Sequence, residues 1–196
     1  ANDVTNGYEL WKTDGTPTGT TLVKNIRPGS QGSNPNYITP LNSTTSVFEA
    51  YDGTHGDELW ITDGTESGTT LVKDIRPGNG SSSPRKIKKL GNNLLFFADD
   101  GTHGRELWKT DGTESGTTLV KDIRPGGTGS ASWGLGYTPL NFNESVVFQN
   151  NLYFFADDGS RGLELWKSDG TTSGTKIVKD IQTGAGDGIS KGVGYY

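Results

Sequence analysis

The chain has no cysteine and no methionine, and of its 196 residues only two are histidine. Without cysteine there are no disulfides, no thiol catalysis and no thiolate metal site. Two histidines leave little support for a nucleophile–base pair, and no Ser, His and Asp arrangement recurs at a spacing suggestive of a triad. A sequence that begins at Ala1 and holds no methionine reads as processed or as an internal piece, with removal of a secretory signal the simplest explanation. Long apolar runs are also missing. The longest, such as 94–98 and 152–156, fall far short of the roughly 18 residues of a membrane-spanning helix, so no membrane span is expected. Strong positive charge is absent too. With 23 acidic residues against 18 basic ones, the net charge is -5, and no cationic block exceeds the short stretch 85–89. That balance gives no electrostatic footprint for nucleic acid.

What the chain has is glycine, 30 residues with 8 prolines, which marks a backbone that turns often. Leu, Ile, Val and Phe make up about 20% of the residues, enough for a folded, turn-rich domain when net charge is this small.

The sequence repeats itself four times. ELWKTDGTPTGTTLVKNIRPG spans 9–29, ELWITDGTESGTTLVKDIRPG 58–78, ELWKTDGTESGTTLVKDIRPG 106–126, and ELWKSDGTTSGTKIVKDIQTG 164–184. Segments 52–78 and 100–126 differ at two of 27 positions, Asp57 against Arg105 and Ile61 against Lys109. The tryptophans Trp11, Trp60, Trp108 and Trp166 are spaced by 49, 48 and 58 residues. A period near 48 matches a propeller blade of about 40 to 50 residues. Within a unit no 3.6-residue apolar stripe exists. The pattern is instead four short strands, at 87–90, 94–98, 106–110 and 117–123, joined by Asp-, Asn- and Gly-rich turns. Pairing about the DGTxxGT loop is expected to set Glu106 opposite Lys121, Trp108 opposite Leu119 and Thr110 opposite Thr117. Adjacent apolar residues such as Leu107 with Trp108, and Leu119 with Val120, make both faces of such a sheet apolar, so each face needs a neighbouring sheet. The expected fold is all-β: a four-bladed β-propeller-like array of four-stranded antiparallel sheets in one repeat domain, 1–196. Its units run approximately over 1–37, 38–85, 86–143 and 144–188, followed by a closing strand at 189–196. A linear or helical array of the same sheets is the alternative.

The repeat is cut at the ends. Residues 1–9 align without gaps on 98–106, so the strand before them is missing, and residues 192–196 resemble 93–97. A terminal strand containing Val193, Tyr195 and Tyr196 therefore completes the first blade, beside Ala1 and Asp3. It does so either within its own molecule, giving a monomer, or in the next molecule, giving a head-to-tail filament.

The recurrent ELWxxDGTxxGTxLVKDIxPG resembles the ELWxxDGT repeat family of secreted and surface-associated bacterial proteins, over nearly the whole chain. The resemblance implies an extracellular, propeller-like bacterial protein and carries no catalytic residues or ligand with it. The fourth copy departs from the pattern at Ser168, Lys176, Ile177, Gln182 and Thr183.

Other candidate residues have bland readings beside the sharp ones. His55 and His103 share a turn position occupied by Asn6 and Arg161 in the other copies and read as solvated turn residues. Asp14, Asp63, Asp111 and Asp169 recur in every copy and offer oxygens to calcium. Their spacing, however, matches neither the EF-hand nor the glycine-rich nonapeptide, and an Asx turn explains an Asp before Gly equally well. No cofactor is expected. Trp133, Tyr137 and Phe142 sit in an insertion, residues 127–143, and are candidate anchors for a neighbouring subunit or a sugar ring. Asn42, Asn79 and Asn143 fit the N-glycosylation triplet. The stretch 85–89 reads as a solvated basic edge. The functional expectation is a non-enzymatic extracellular structural protein, partnered with itself in a filament. The competing expectation is a monomeric, lectin-like glycan-binding module.

Overall fold

The computed structural model describes residues 1–126, 129–130 and 145–188. Sixteen strands and no helix are found among them. The first repeat holds β1 (Asn2–Asp3), β2 (Gly7–Tyr8), β3 (Leu10–Lys12) and β4 (Thr21–Lys24). A second sheet follows with β5 (Asn36–Pro40), β6 (Ser46–Tyr51), β7 (Asp57–Thr62) and β8 (Thr70–Lys73). The third comprises β9 (Arg85–Leu90), β10 (Asn93–Asp99), β11 (Arg105–Thr110) and β12 (Thr118–Lys121). The fourth comprises β13 (Val146–Phe148), β14 (Asn151–Asp157), β15 (Leu163–Ser168) and β16 (Lys176–Lys179). Each complete sheet is an antiparallel meander in sequence order, as the turn signals require. The first repeat is fragmentary, with β1 paired to β2 and β3 to β4.

Register follows the expectation at Trp108, which pairs with Leu119. It departs at Glu106. Lys121 lies opposite Leu107 because the strand carries a bulge between Leu107 and Trp108, and the extra residue on the partner strand breaks strict alternation. The same bulge recurs before Trp11, Trp60 and Trp166. The hydroxyl pair holds: Thr110 and Thr117 Oγ1 lie 2.7 Å apart, buried at the mouth of the hairpin.

Both faces of each inner sheet are covered, and the alternation of side chains along the central strands says by what. In β10, Leu94, Phe96 and Ala98 point toward the second sheet, packing on Val47, Leu59, Val72 and Ile75. Leu95 and Phe97 point the other way, onto Leu152, Phe154, Ala156 and Trp166 of the fourth, with the Phe97 and Phe154 rings edge to face at 5.4 Å. Leu10, Val23 and Ile26 of the first repeat cover Phe48, Ala50 and Trp60 in the same manner. Fully burying one such Leu or Phe contributes about 1.5–3 kcal/mol, so an isolated sheet would forgo the contribution of a whole face. Within each complete sheet a Phe stands directly across from the Trp: Phe48 from Trp60, Phe96 from Trp108, Phe154 from Trp166.

Polar latches repeat along with the apolar faces. Lys24 Nζ donates to the Thr69 carbonyl at 2.8 Å, Lys73 to that of Thr117 at 2.9 Å, and Lys121 to that of Thr175 at 2.8 Å, each reaching from one repeat to the next. Arg76 pairs with Asp99 at 3.0 Å and Arg124 with Asp157 at 2.6 Å across the same boundaries. Where the second sheet has Tyr51 in place of the acid, Arg27 stacks on its ring at 4.5 Å.

The basic stretch does form the edge strand of its sheet, but it is only partly solvated: Lys89 is exposed, whereas Arg85, Lys86 and Lys88 are half-buried. β9 lies close to both β5 and β13. Burial depresses the Lys86 ammonium, which sits 6.0 Å from the centre of the Phe97 ring, and Lys89 donates to the Leu41 carbonyl.

Candidate functional site

The chain's most repeated chemistry is a buried carboxylate. Glu9, Glu58, Glu106 and Glu164, the first residue of each ELW triplet, are fully buried. Glu106 accepts hydrogen bonds from the backbone N–H groups of Ile123 (3.0 Å), Arg124 (3.1 Å) and Ser130 (2.7 Å) and from the Ser130 hydroxyl (2.7 Å). Glu58 repeats the bracket with Ile75, Arg76 and Ser82, and Glu9 with Ile26, Arg27 and Ser33. In the fourth copy Glu164 keeps the two N–H donors, from Ile181 and Gln182, while Gly188 stands at the serine position. Burial pushes the Glu58 carboxyl up to about 7 and that of Glu106 upward, against the pull of these donors. Each bracket joins the start of the third strand of a repeat to the loop leaving its fourth.

The other repeated carboxylates are likewise engaged in their own turns. Asp111 Oδ1 accepts from Thr113 N–H at 2.9 Å and from its hydroxyl at 2.7 Å. Asp14, Asp63 and Asp169 do the same with Thr16, Thr65 and Thr171. These bonds, the threonine hydroxyl first, hold all four carboxyls below the usual range. Among the described residues no group of three or more His, Cys, Asp or Glu is placed to hold a metal ion. His55 Nδ1 lies 2.6 Å from Asp52 and His103 Nδ1 lies 2.7 Å from Asp100; Asn6 with Asp3 and Arg161 with Asp158 fill the same role.

A second polar cluster was not anticipated from the sequence. Between the second and third sheets, Arg85 donates to the Tyr37 hydroxyl at 2.6 Å and lies 5.2 Å from the centre of its ring, with Glu49 at 3.8 Å. Arg105 donates to the Ser83 carbonyl at 2.7 Å. Burial raises the Glu49 carboxyl to about 7 and lowers the Arg105 guanidinium. Tyr37 and Lys86 hold φ of 55° and 56°, a conformation that side-chain-bearing residues seldom adopt. Two signals were available. Glu49 stands where the third and fourth sheets have Phe97 and Phe155, and Arg105 is one of the two differences between near-identical copies.

Among the described residues, the first repeat is left open along one edge. In the third sheet, β11 pairs along its length with β10, from Thr110 with Leu94 to Arg105 with Asp99. The corresponding pairs of the first repeat stop at Asn2 with Tyr8 and Asp3 with Gly7, extended by the Ala1 carbonyl accepting from Glu9 N–H at 3.0 Å. Among the described residues, Leu10, Trp11 and Lys12 therefore pair only with β4, and none of the described strands stands where Phe96 faces Trp108. Two clefts flank the gap: one of about 230 Å³ bordered by Ala1, Leu10, Trp11 and Ile38, and one of about 290 Å³ bordered by Trp11, Lys12, Thr44 and Asp63. The buried Trp11 indole N–H has no hydrogen-bond partner among the described residues. Ile38, on the cleft wall, is 56% exposed.

Of the residues expected to mediate assembly, Ala1 thus borders the cleft, whereas Asp3 is engaged in its own turn, accepting from the N–H of Thr5 at 2.9 Å and of Asn6 at 2.6 Å. Val193, Tyr195 and Tyr196, the loop aromatics Trp133, Tyr137 and Phe142, and Asn143 lie outside the described residues. Asn42 and Asn79 are exposed on turns.

No family model, curated protein or solved structure matches the chain. No helix among the described residues is long and apolar enough to cross a membrane.

Proposed function

We propose that the chain is a non-enzymatic structural protein: a propeller-like array of four blades that polymerises head to tail outside a bacterial cell. In this reading a strand from one copy, containing Val193, Tyr195 and Tyr196, completes the first blade of the next along β3. The observation that carries it is the edge of β3 that the described residues leave open, where backbone groups and Trp11 meet a cleft at the position that β6, β10 and β14 fill in the other sheets. Strand addition supplies affinity through main-chain bonds and specificity through alternate side chains, and an aromatic opposite Trp11 restores the repeated Phe–Trp pair. The side-by-side arrangement of β5, β9 and β13 supports radial blades. The resemblance to the ELWxxDGT family supports the extracellular setting, and engagement of the repeated carboxylates within their own units supports a scaffold. The reading requires no cofactor.

Light scattering after size exclusion, with and without residues 188–196, tests it. A polymer that falls on truncation to single-chain particles, lighter than the 20.9 kDa of the full chain, is expected. A folded 20.9 kDa monomer at full length overturns the filament and redirects attention to glycan binding, for which a sugar-dependent change in Trp fluorescence, lost in Trp133→Ala, is the readout.

A further inference from the structure

The three boundaries between repeats share one design, so the two ends of the series can be compared with them position by position. At each boundary the earlier repeat presents a Leu, a Val and an Ile, from its third strand, its fourth strand and the loop that follows. The later repeat answers with a Trp and an Ala, joined in the complete sheets by a Phe.

The fourth repeat carries the first set with none of the described residues packed upon it as a hydrophobic cluster. Val178 is 46% exposed and Ile181 53%, whereas the matching Val23, Val72 and Val120 are at most 6% exposed and Ile26, Ile75 and Ile123 at most 5%. Among the described residues no hydrophobic cluster joins the fourth sheet to the first repeat. At the other end the first repeat carries the answering tryptophan, less covered than its counterparts: Trp11 is half-buried, while Trp60, Trp108 and Trp166 are buried.

The polar positions match in the same way. Lys24, Lys73 and Lys121 latch onto the carbonyls of Thr69, Thr117 and Thr175, threonines that are fully buried. The remaining lysine of the series, Lys179, and the remaining threonine, Thr20, are both exposed. Where Arg76 meets Asp99 and Arg124 meets Asp157, the end positions hold Gln182 and Asn2. In a contact built like the other three, an amide would meet an amide at this position, and neither an arginine nor an aspartate would be left there to be desolvated without its partner.

We infer that the outer face of the fourth sheet, centred on Val178 and Ile181, docks the first repeat of a second copy of this chain, with Trp11 against those side chains and Lys179 donating to the Thr20 carbonyl. The inference rests on the homopolymer reading and adds to it a face-to-face contact distinct from strand addition along β3. The contact is heterologous, one surface onto a different one, so each added copy presents the same free face again and the assembly extends. The second copy is the occupant because the chemistry of this face is met three times within the chain by a repeat of its own kind.

The absence of cysteine makes the test clean. The double variant Thr20→Cys, Lys179→Cys carries the only two thiols in the protein, and a short bismaleimide should convert it on a denaturing gel into a ladder of multiples of 20.9 kDa. Val178→Asp and Ile181→Asp change exposed positions, so the fold measured by circular dichroism should be unaltered. Each should weaken self-association by about tenfold or more, the effect of removing an interface anchor. A ladder together with smaller particles for the Asp variants supports the contact. An internally bridged band of single-chain mass shows that the chain's own first repeat covers the face and overturns the inference. Polymers that form undiminished in both Asp variants and yield no ladder overturn it while leaving strand exchange standing. A wild-type particle of 20.9 kDa overturns the homopolymer reading itself, and this contact with it.

Discussion

Replacing Glu106 by Ala removes the acceptor for three backbone N–H groups and one hydroxyl, at bond lengths of 2.7 to 3.1 Å, from a site with no solvent exposure. Leaving one buried donor without a partner costs about 1–3 kcal/mol. Four stranded donors would exceed that several-fold if the site stayed dry, but water entering the space vacated by the side chain satisfies some of them. The expected loss is on the order of 3–5 kcal/mol, the range for breaking a buried polar network. In a chain of this length, with about 2–4 °C in Tm per kcal/mol, that corresponds to roughly 6–20 °C. Urea unfolding followed by far-ultraviolet circular dichroism and Trp fluorescence measures it. Glu114→Ala, on the exposed turn of the same repeat, is the control and should stay within about 0.5 kcal/mol. Glu106→Gln keeps the shape and one acceptor but turns an NH₂ toward the donors, and should fall between the two. A Glu106→Ala loss below about 1 kcal/mol, indistinguishable from the control, would refute the idea that the carboxylate organises the 123–130 loop.

Three further outcomes are expected. Glu58 and Glu49 have their carboxyls pushed up to about 7 by burial, so the folded protein holds these protons more tightly than the unfolded chain. Their contribution to stability is full below the ordinary carboxylate range and is lost as pH rises through about 7; denaturant midpoints across that window should decline, and decline less steeply in Glu49→Gln, which leaves only the Glu58 part. Hydrogen bonding to Asp52 and Asp100 raises His55 and His103 above their ordinary value. NMR titration should show both moving upward, with any stabilisation present below that ordinary value and lost as pH climbs through the folded one. Gly56→Ala should cost more than Gly64→Ala in thermal unfolding. Both glycines have positive φ, but a Cβ at Gly56 would meet the Gly80 carbonyl oxygen at 2.2 Å whereas one at Gly64 meets nothing within 4 Å; equal losses would show that backbone conformation alone matters.

Strand content and sheet order were legible because the chain repeats: a period near 48, a Trp in every copy and turn residues at fixed offsets leave little freedom. The Asp turns were legible for the same reason, since an Asx turn is decided by residues two or three apart. Register was only partly legible. Counting back from the DGTxxGT loop places Trp108 on Leu119 correctly, but a bulge adds a residue before Lys121, and nothing local announces it. The role of Glu106 was hidden because its partners lie 17, 18 and 24 residues away, beyond any hairpin argument. A signal was nonetheless present: Ser33, Ser82 and Ser130 each follow an ELW glutamate by that same 24. The half-burial of Lys86 could not be read from β9 alone, because β9 lies close to both β5 and β13.

Because each repeat covers its neighbour with one kind of face and is covered on another, the series has a direction, and its length is independent of its ends. Duplicating any inner unit of about 48 residues would insert one more matched pair of faces and leave Trp11 and Val178 where they are. Such a chain can lengthen in whole sheets by simple gene duplication without redesigning a single contact. The near-identity of segments 52–78 and 100–126 is what a recent event of that kind would leave behind.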